Sequence, residues 1–133
     1  MTKHSLSWQE TDAQFLEALL LATGGEGGAT LPDILLMADA VDGTVFTLNE
    51  VEQALVKLVA IGYISVQKNK ISVSTLFLKD YGDMVGEGNE QEALLQLLQP
   101  NKLTTDKVGE ASASLKSYKL SKHYEQYKEQ YGG

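Results

Sequence analysis

Residues Thr47 to Ser74 read TLNEVEQALVKLVAIGYISVQKNKISVS, and the reading of the whole chain turns on them. Thr47-Leu48-Asn49-Glu50 is a capping box: the threonine side chain accepts from the backbone three residues on, and the glutamate reaches back. Leu48, Val51, Leu55, Leu58 and Val59 then recur at helical spacing and define one side of a helix. Asn49, Gln53, Lys57 and Ala60 fall opposite, on the side the pattern leaves to solvent. Gly62 suits the left-handed residue just past a helix end, which lets Tyr63 fold back on Leu58.

Beyond Gly62 the pattern predicts a β-hairpin and its register. A two-residue turn at Lys68-Asn69 pairs Gln67 with Lys70, Val66 with Ile71, Ser65 with Ser72 and Ile64 with Val73. The apolar pairs then share one face and the serine pair takes the other. Asn69 tolerates the positive φ that such turns need.

Both flanks read as helices. A first helix begins at Ser7 or Thr11, which head the capping boxes Ser7…Glu10 and Thr11…Gln14. Phe15, Leu16, Leu19 and Leu20 give it apolar spacing, and Gly24 ends it. Gly24-Gly25-Glu26-Gly27-Gly28 lacks the lysine and hydroxyl residue of a phosphate-binding loop and carries an acid instead, so it reads as a flexible connector. A second helix starts at Thr30, with Asp33 completing the cap and Pro32 in the first turn, where a missing N–H costs little. Leu31, Ile34, Leu35, Met37 and Ala38 form its apolar side, and it fades at Asp42-Gly43. Downstream, Thr75 to Val85 predicts a helix with Phe77, Tyr81 and Met84 inward, followed by a break at Gly86-Glu87-Gly88. Asn89 with Glu92 caps a short helix holding Leu94, Leu95, Leu97 and Leu98 ahead of Pro100. A last helix is expected over Thr105 to Tyr131.

Composition narrows the classes. With 133 residues, 43% hydrophobic and 22% charged, the chain is globular and long enough for a real core. It has no cysteine, which removes disulfides, thiol chemistry and cysteine zinc sites and fits a reducing, cytoplasmic setting. No apolar run approaches the roughly 20 residues that span a bilayer, so no membrane is expected as a partner. The net charge is −7, no arginine is present, and nine acids face two lysines over residues 1–66. Only the hairpin region and the tail after residue 110 are mildly basic. An acidic body repels nucleic acid at long range.

The order helix, helix, helix, Gly62-Tyr63-Ile64, hairpin, helix resembles winged-helix regulators of the MarR and PadR type. The run Leu55-Val56-Lys57-Leu58-Val59-Ala60-Ile61-Gly62-Tyr63-Ile64 looks like their helix-end motif, and the resemblance covers about Asp12 to Val85. The expected architecture is therefore mainly α with a small β-hairpin. A winged helix-turn-helix domain spans residues 1–85 with a closed core of its own, and a helical extension spans residues 86–133. The resemblance implies a third helix entering the major groove, with Asn49, Gln53 and Lys57 as readers and Lys68 and Lys70 as wing contacts. It also implies that flanking elements build a dimer.

No catalytic constellation stands out, and no enzyme activity and no cofactor are expected. His4 and His123 read as solvated surface histidines, no His-x-x-x-His or Glu-x-x-His spacing lies near His123, and no G-x-S-x-G elbow occurs. Two binding readings remain. Duplex DNA binding in transcriptional control follows from the fold and from Asn49 and Gln53, whose side chains pair with adenine edges. A protein-interaction adaptor follows from the acidic balance and the missing arginine. The fold tips the balance toward the regulator. The stripe Leu120, Tyr124, Tyr127 and Tyr131 bears on assembly, because it is too apolar to lie in water. It is expected to form a homodimer arm, with packing on Leu94, Leu95 and Leu98 of the same chain as the alternative.

Overall fold

The computed structural model describes residues 6–83 and 90–131. It is mainly helical with one two-stranded antiparallel sheet. In chain order the elements are α1 (Glu10–Thr23), α2 (Leu31–Asp42), α3 (Leu48–Ala60), β1 (Ile64–Gln67), β2 (Lys70–Val73), α4 (Thr75–Asp83), α5 (Glu90–Leu98), α6 (Thr105–Ser114) and α7 (Leu120–Tyr131). A 3-10 turn at Lys116–Tyr118 joins the last two. His4, Met84, the break at Gly86-Glu87-Gly88 and the Asn89 cap lie outside the described residues.

The local rules hold best from Thr47 onward. Thr47 Oγ1 accepts the Glu50 N–H at 3.1 Å, and Glu50 Oε1 accepts the Thr47 N–H at 2.8 Å, closing the capping box. Gly62 takes φ 79°, and the Tyr63 N–H returns to the Leu58 carbonyl at 3.1 Å. The hairpin has the expected register at all four pairs. Its turn differs in one respect: the positive φ, 58°, falls on Lys68 rather than Asn69. Of the two-residue turns that match strand twist, one class needs a left-handed residue only in the first position.

The start of α1 differs as well. The cap is Gln9, not Ser7 or Thr11, because Asp12 turns back to accept the Gln9 N–H at 2.8 Å. Thr30 caps α2 as expected, and Gly24 and Gly43 end α1 and α2 in the left-handed conformation. The glycine loop is more than a connector. Ala29 leaves it to exchange both backbone hydrogen bonds with Ile71, at 2.8 and 3.0 Å, and so adds a bridge to the free edge of β2. Gly28 is needed there: a Cβ would lie 2.7 Å from Ser72 Oγ and 3.0 Å from Lys70 Cβ.

The core draws on helices from both ends of the described residues. Phe15, Leu16, Leu19, Leu31, Ile34 and Leu58 are fully buried where the first three helices meet. Leu94 and Leu98 of α5 close the same core against α1, and Tyr118, Tyr124 and Tyr127 belong to it. Within the described residues, 90–131 thus share one core with the helices before them. The last helix is not continuous. It breaks after Ser114, and Lys119 turns the chain with a left-handed φ of 57°. The break lets α6 lie on α3 while α7 lies on α2, two surfaces that one straight helix does not cover.

Candidate functional site

The expected reading face of α3 is mostly inside the molecule. Asn49 is exposed, but Gln53 is half-buried and engaged with neighbours, and Lys57 is 0% exposed. Helical phase puts Lys57 at the surface, opposite the leucines. Three groups distant in sequence draw it inward instead. Its Nζ donates to Asp12 Oδ2 at 2.5 Å and to the Ser7 carbonyl at 3.1 Å. It also lies 5.8 Å from the centre of the Trp8 ring, within cation–π range. Trp8 Nε1 in turn donates to the Asn101 carbonyl at 2.9 Å, so one ammonium helps strap the segment before α1 across the molecule.

Asp12 is the counter-charge, and it is also 0% exposed. Burial pushes its carboxyl above the ordinary carboxylate range. Hydrogen bonds from Lys57 and the Gln9 N–H and the Lys57 charge oppose that rise without cancelling it. Its Oδ1 has no hydrogen-bond partner among the described residues. The pair is a structural tie, shielded from anything outside.

The rest of that side of α3 is covered by α6. Val56, 2% exposed, forms a small apolar cluster with Val108 and Ala111, and Val59, Ala60, Leu103 and Leu115 pack around it. A recognition helix needs a free face to lie in a groove. Along α3 only Asn49 is exposed, and the rest are half-buried or buried.

The hairpin lysines do stand free of the body. Lys68, Asn69 and Lys70 are all exposed at the tip. The structure therefore separates the five sequence-derived contact residues: two lysines at the hairpin tip, one asparagine at the start of α3, and Gln53 and Lys57 withdrawn behind them.

The tyrosine stripe faces its own chain. Tyr124 and Tyr127 are 8% and 6% exposed, Leu120 is half-buried, and the side chain of Tyr131 lies outside the described part. Tyr124 donates its hydroxyl to the Phe46 carbonyl at 2.7 Å, and α7 packs on α2. Burial raises both phenols above their ordinary range; nearby Glu125 and Glu50 add to this for Tyr124, and Asp39 and Tyr124 for Tyr127. The stripe has its cover within the chain, on α2 rather than on Leu94, Leu95 and Leu98, and so does not by itself require a second subunit. Exposed leucines lie elsewhere, among them Leu21 near the end of α1, Leu36 on α2, and Leu76 and Leu78 on α4. Nothing in the sequence pattern singles those leucines out.

Among the described residues no group of three or more histidines and acids is placed to hold a metal ion, and no helix is long and apolar enough to cross a membrane. No protein-family model, curated protein or solved structure matches the chain.

Proposed function

We propose that this protein is a winged-helix interaction module that engages another protein and does not read DNA through its third helix. The winged-helix assignment is supported by the order of elements: helix, helix, helix, then a hairpin whose free edge is joined by a bridging residue from between the first two helices. The observation that carries the functional half is the enclosure of α3, with Lys57 and Val56 buried on the side that would enter a groove. The charge points the same way. A net charge of −7 without arginine is poor footing on a phosphate backbone. The exposed leucines of α1 and α4 offer apolar surface of the sort that protein contacts use.

A second reading has one observation in its favour. Lys68 and Lys70 project from the hairpin tip, where backbone phosphates are contacted in the family that the sequence resembles. That arrangement gives weak binding blind to sequence.

Fluorescence anisotropy with random and defined duplexes across a salt series tests both. The expected result is no sequence preference. Any low-salt binding should be lost with Lys68→Ala/Lys70→Ala and unaffected by Gln53→Ala. Tight, sequence-selective binding that Gln53→Ala redirects would sink the interaction-module reading and restore the transcription regulator.

A further inference from the structure

Away from the hairpin tip, three lysines of this acidic chain lie around one cleft. A cleft of about 430 Å³ opens where α6, the 3-10 turn and the start of α7 meet the outer side of α3. Lys116, Lys119 and Lys122 line it, three of the chain's eleven basic residues, against one carboxylate, that of Glu52 on the α3 side. In a body of net charge −7, three ammonium groups around one concavity make a local field of opposite sign. Ser112 and Ser121 add hydroxyls to the wall, and Leu55 and Val56 give it an apolar floor.

Two further features sharpen the chemistry. The 12-residue helix α7 begins at the cleft with Leu120; its Lys122 and His123 N–H groups donate to the Lys119 carbonyl, which leaves those of Leu120 and Ser121 without an acceptor inside the helix. Tyr118 also lines the cleft, is only 4% exposed, and has a hydroxyl with no hydrogen-bond partner among the described residues. A buried hydroxyl left unpaired is costly, and native structures rarely keep one without a water, ion or ligand to satisfy it. Burial pushes this phenol upward, so it stays protonated and able to donate.

We propose that this cleft binds a small organic phosphate. The phosphate is held by Lys116, Lys119 and Lys122 at the start of α7. Lysine serves phosphate as a point charge and needs no planar fork, which suits a chain without arginine. The size of the cleft falls in the range of small-molecule sites and excludes little below a nucleotide. Occupancy ties α6 and α7 to α3, so the ligand stabilises the fold by mass action.

The test uses the full chain, titration calorimetry and thermal unfolding. The probes are ribose 5-phosphate, adenosine monophosphate and inorganic phosphate, with ribose as the uncharged control. The expected result is saturable binding of at least one organic phosphate, none of ribose, and a raised unfolding temperature. Lys116→Gln/Lys122→Gln should weaken binding about tenfold or more, the worth of one or two charge-assisted contacts. Lys68→Gln/Lys70→Gln should leave it unchanged. Lys116, Lys122, Lys68 and Lys70 are all exposed, so both variants should fold; Lys119, which holds the left-handed turn, is kept. Tyr118→Phe should weaken binding several-fold without lowering the unfolding temperature of the free protein. Absence of saturable binding up to about 10 mM of either organic phosphate, beyond the weakest specific range, overturns the proposal. So does a loss of binding that is equal in the cleft and hairpin variants.

Discussion

The two sides of α3 are held by different physics. On the side turned to the shared core, Val51, Ala54, Leu55 and Leu58 are at most 1% exposed and pack against other apolar groups. On the other, Val56 meets α6, and Lys57 reaches Asp12, Ser7 and Trp8. The first side is graded: each methylene removed costs its transfer energy and the cavity it leaves. The second is all or none. An ammonium and a carboxylate taken out of water hold only as a pair, and either alone is a liability. The apolar side makes a helix bundle. The ionic side decides where the segment before α1 lies, and with α6 it closes the face that would otherwise be free.

The largest effect expected breaks the ionic side. Lys57→Met leaves the Asp12 carboxylate buried without its partner, and stability should fall by about 3–5 kcal/mol. Adding Asp12→Asn should recover much of this, because no charge is then stranded and the amide oxygen still accepts the Gln9 N–H. Asp12 also sets the pH dependence. Its carboxyl is held above the ordinary value in the fold, so folding favours the protonated form. That contribution is complete below the unfolded value of 3.8 and is lost as pH rises through the folded one. The deficit of Lys57→Met should therefore shrink as the solution is made acid. Urea unfolding at several pH values reads all three; a single variant as stable as the parent contradicts the account of this side.

The same contrast explains what the sequence disclosed. The hairpin was legible because its determinants are local: alternation with period two, a glycine at position 62, and partners within ten residues. The caps of α2 and α3 were legible for the same reason. Helical phase places Lys57 outside, and phase carries no information about Asp12, which lies 45 positions away. The link from Trp8 to Asn101 spans 93. Asp12 also decides the start of α1, since Ser7 and Thr11 satisfy the cap pattern equally well on paper but only Gln9 lies opposite the carboxylate that Lys57 fixes. The tyrosine stripe announces burial without naming its cover, because α2 reads no differently from any other apolar helix. The break at Lys119 has no glycine or proline to mark it. With the break unseen, three lysines spread along one expected helix give no sign that they gather around a cleft.

A smaller effect compares the tyrosines of the two halves at alkaline pH. Tyr63, behind the hairpin, donates to Asp80 at 2.7 Å; burial and then that carboxylate push its phenol up to about 12. Tyr118, Tyr124 and Tyr127, in the C-terminal layer, are raised by burial first. Each folded value exceeds the unfolded value of 10.0, so the stability these groups contribute is complete below pH 10 and is lost as pH climbs through the folded values. The urea midpoint should be flat on approaching pH 10 and fall beyond it. Tyr63→Phe should cost about 1 kcal/mol at neutral pH, the worth of one hydrogen bond, and make the alkaline fall shallower. A fall that begins near neutrality would mean these phenols are not protected by the core.

The smallest effect expected is a gain, and it tests the hairpin, the region where local rules hold best. Lys68 has φ 58°, a conformation that costs a side-chain-bearing residue roughly 1–2 kcal/mol. Asn69, the residue better suited to that conformation, is not in it. Lys68→Gly removes the steric cost but adds freedom to the unfolded chain worth about 0.5–1 kcal/mol, so the net gain should lie between about 0 and 1.5 kcal/mol. Asn69→Gly has no strain to relieve and adds only the freedom, so it should destabilise by a similar amount. The two substitutions are neighbours at an exposed tip and touch no core contact, which makes the sign of the difference informative even where its size is small. The opposite outcome, with Asn69→Gly stabilising and Lys68→Gly destabilising, would move the left-handed residue to the second turn position, where the side-chain preference of asparagine alone places it.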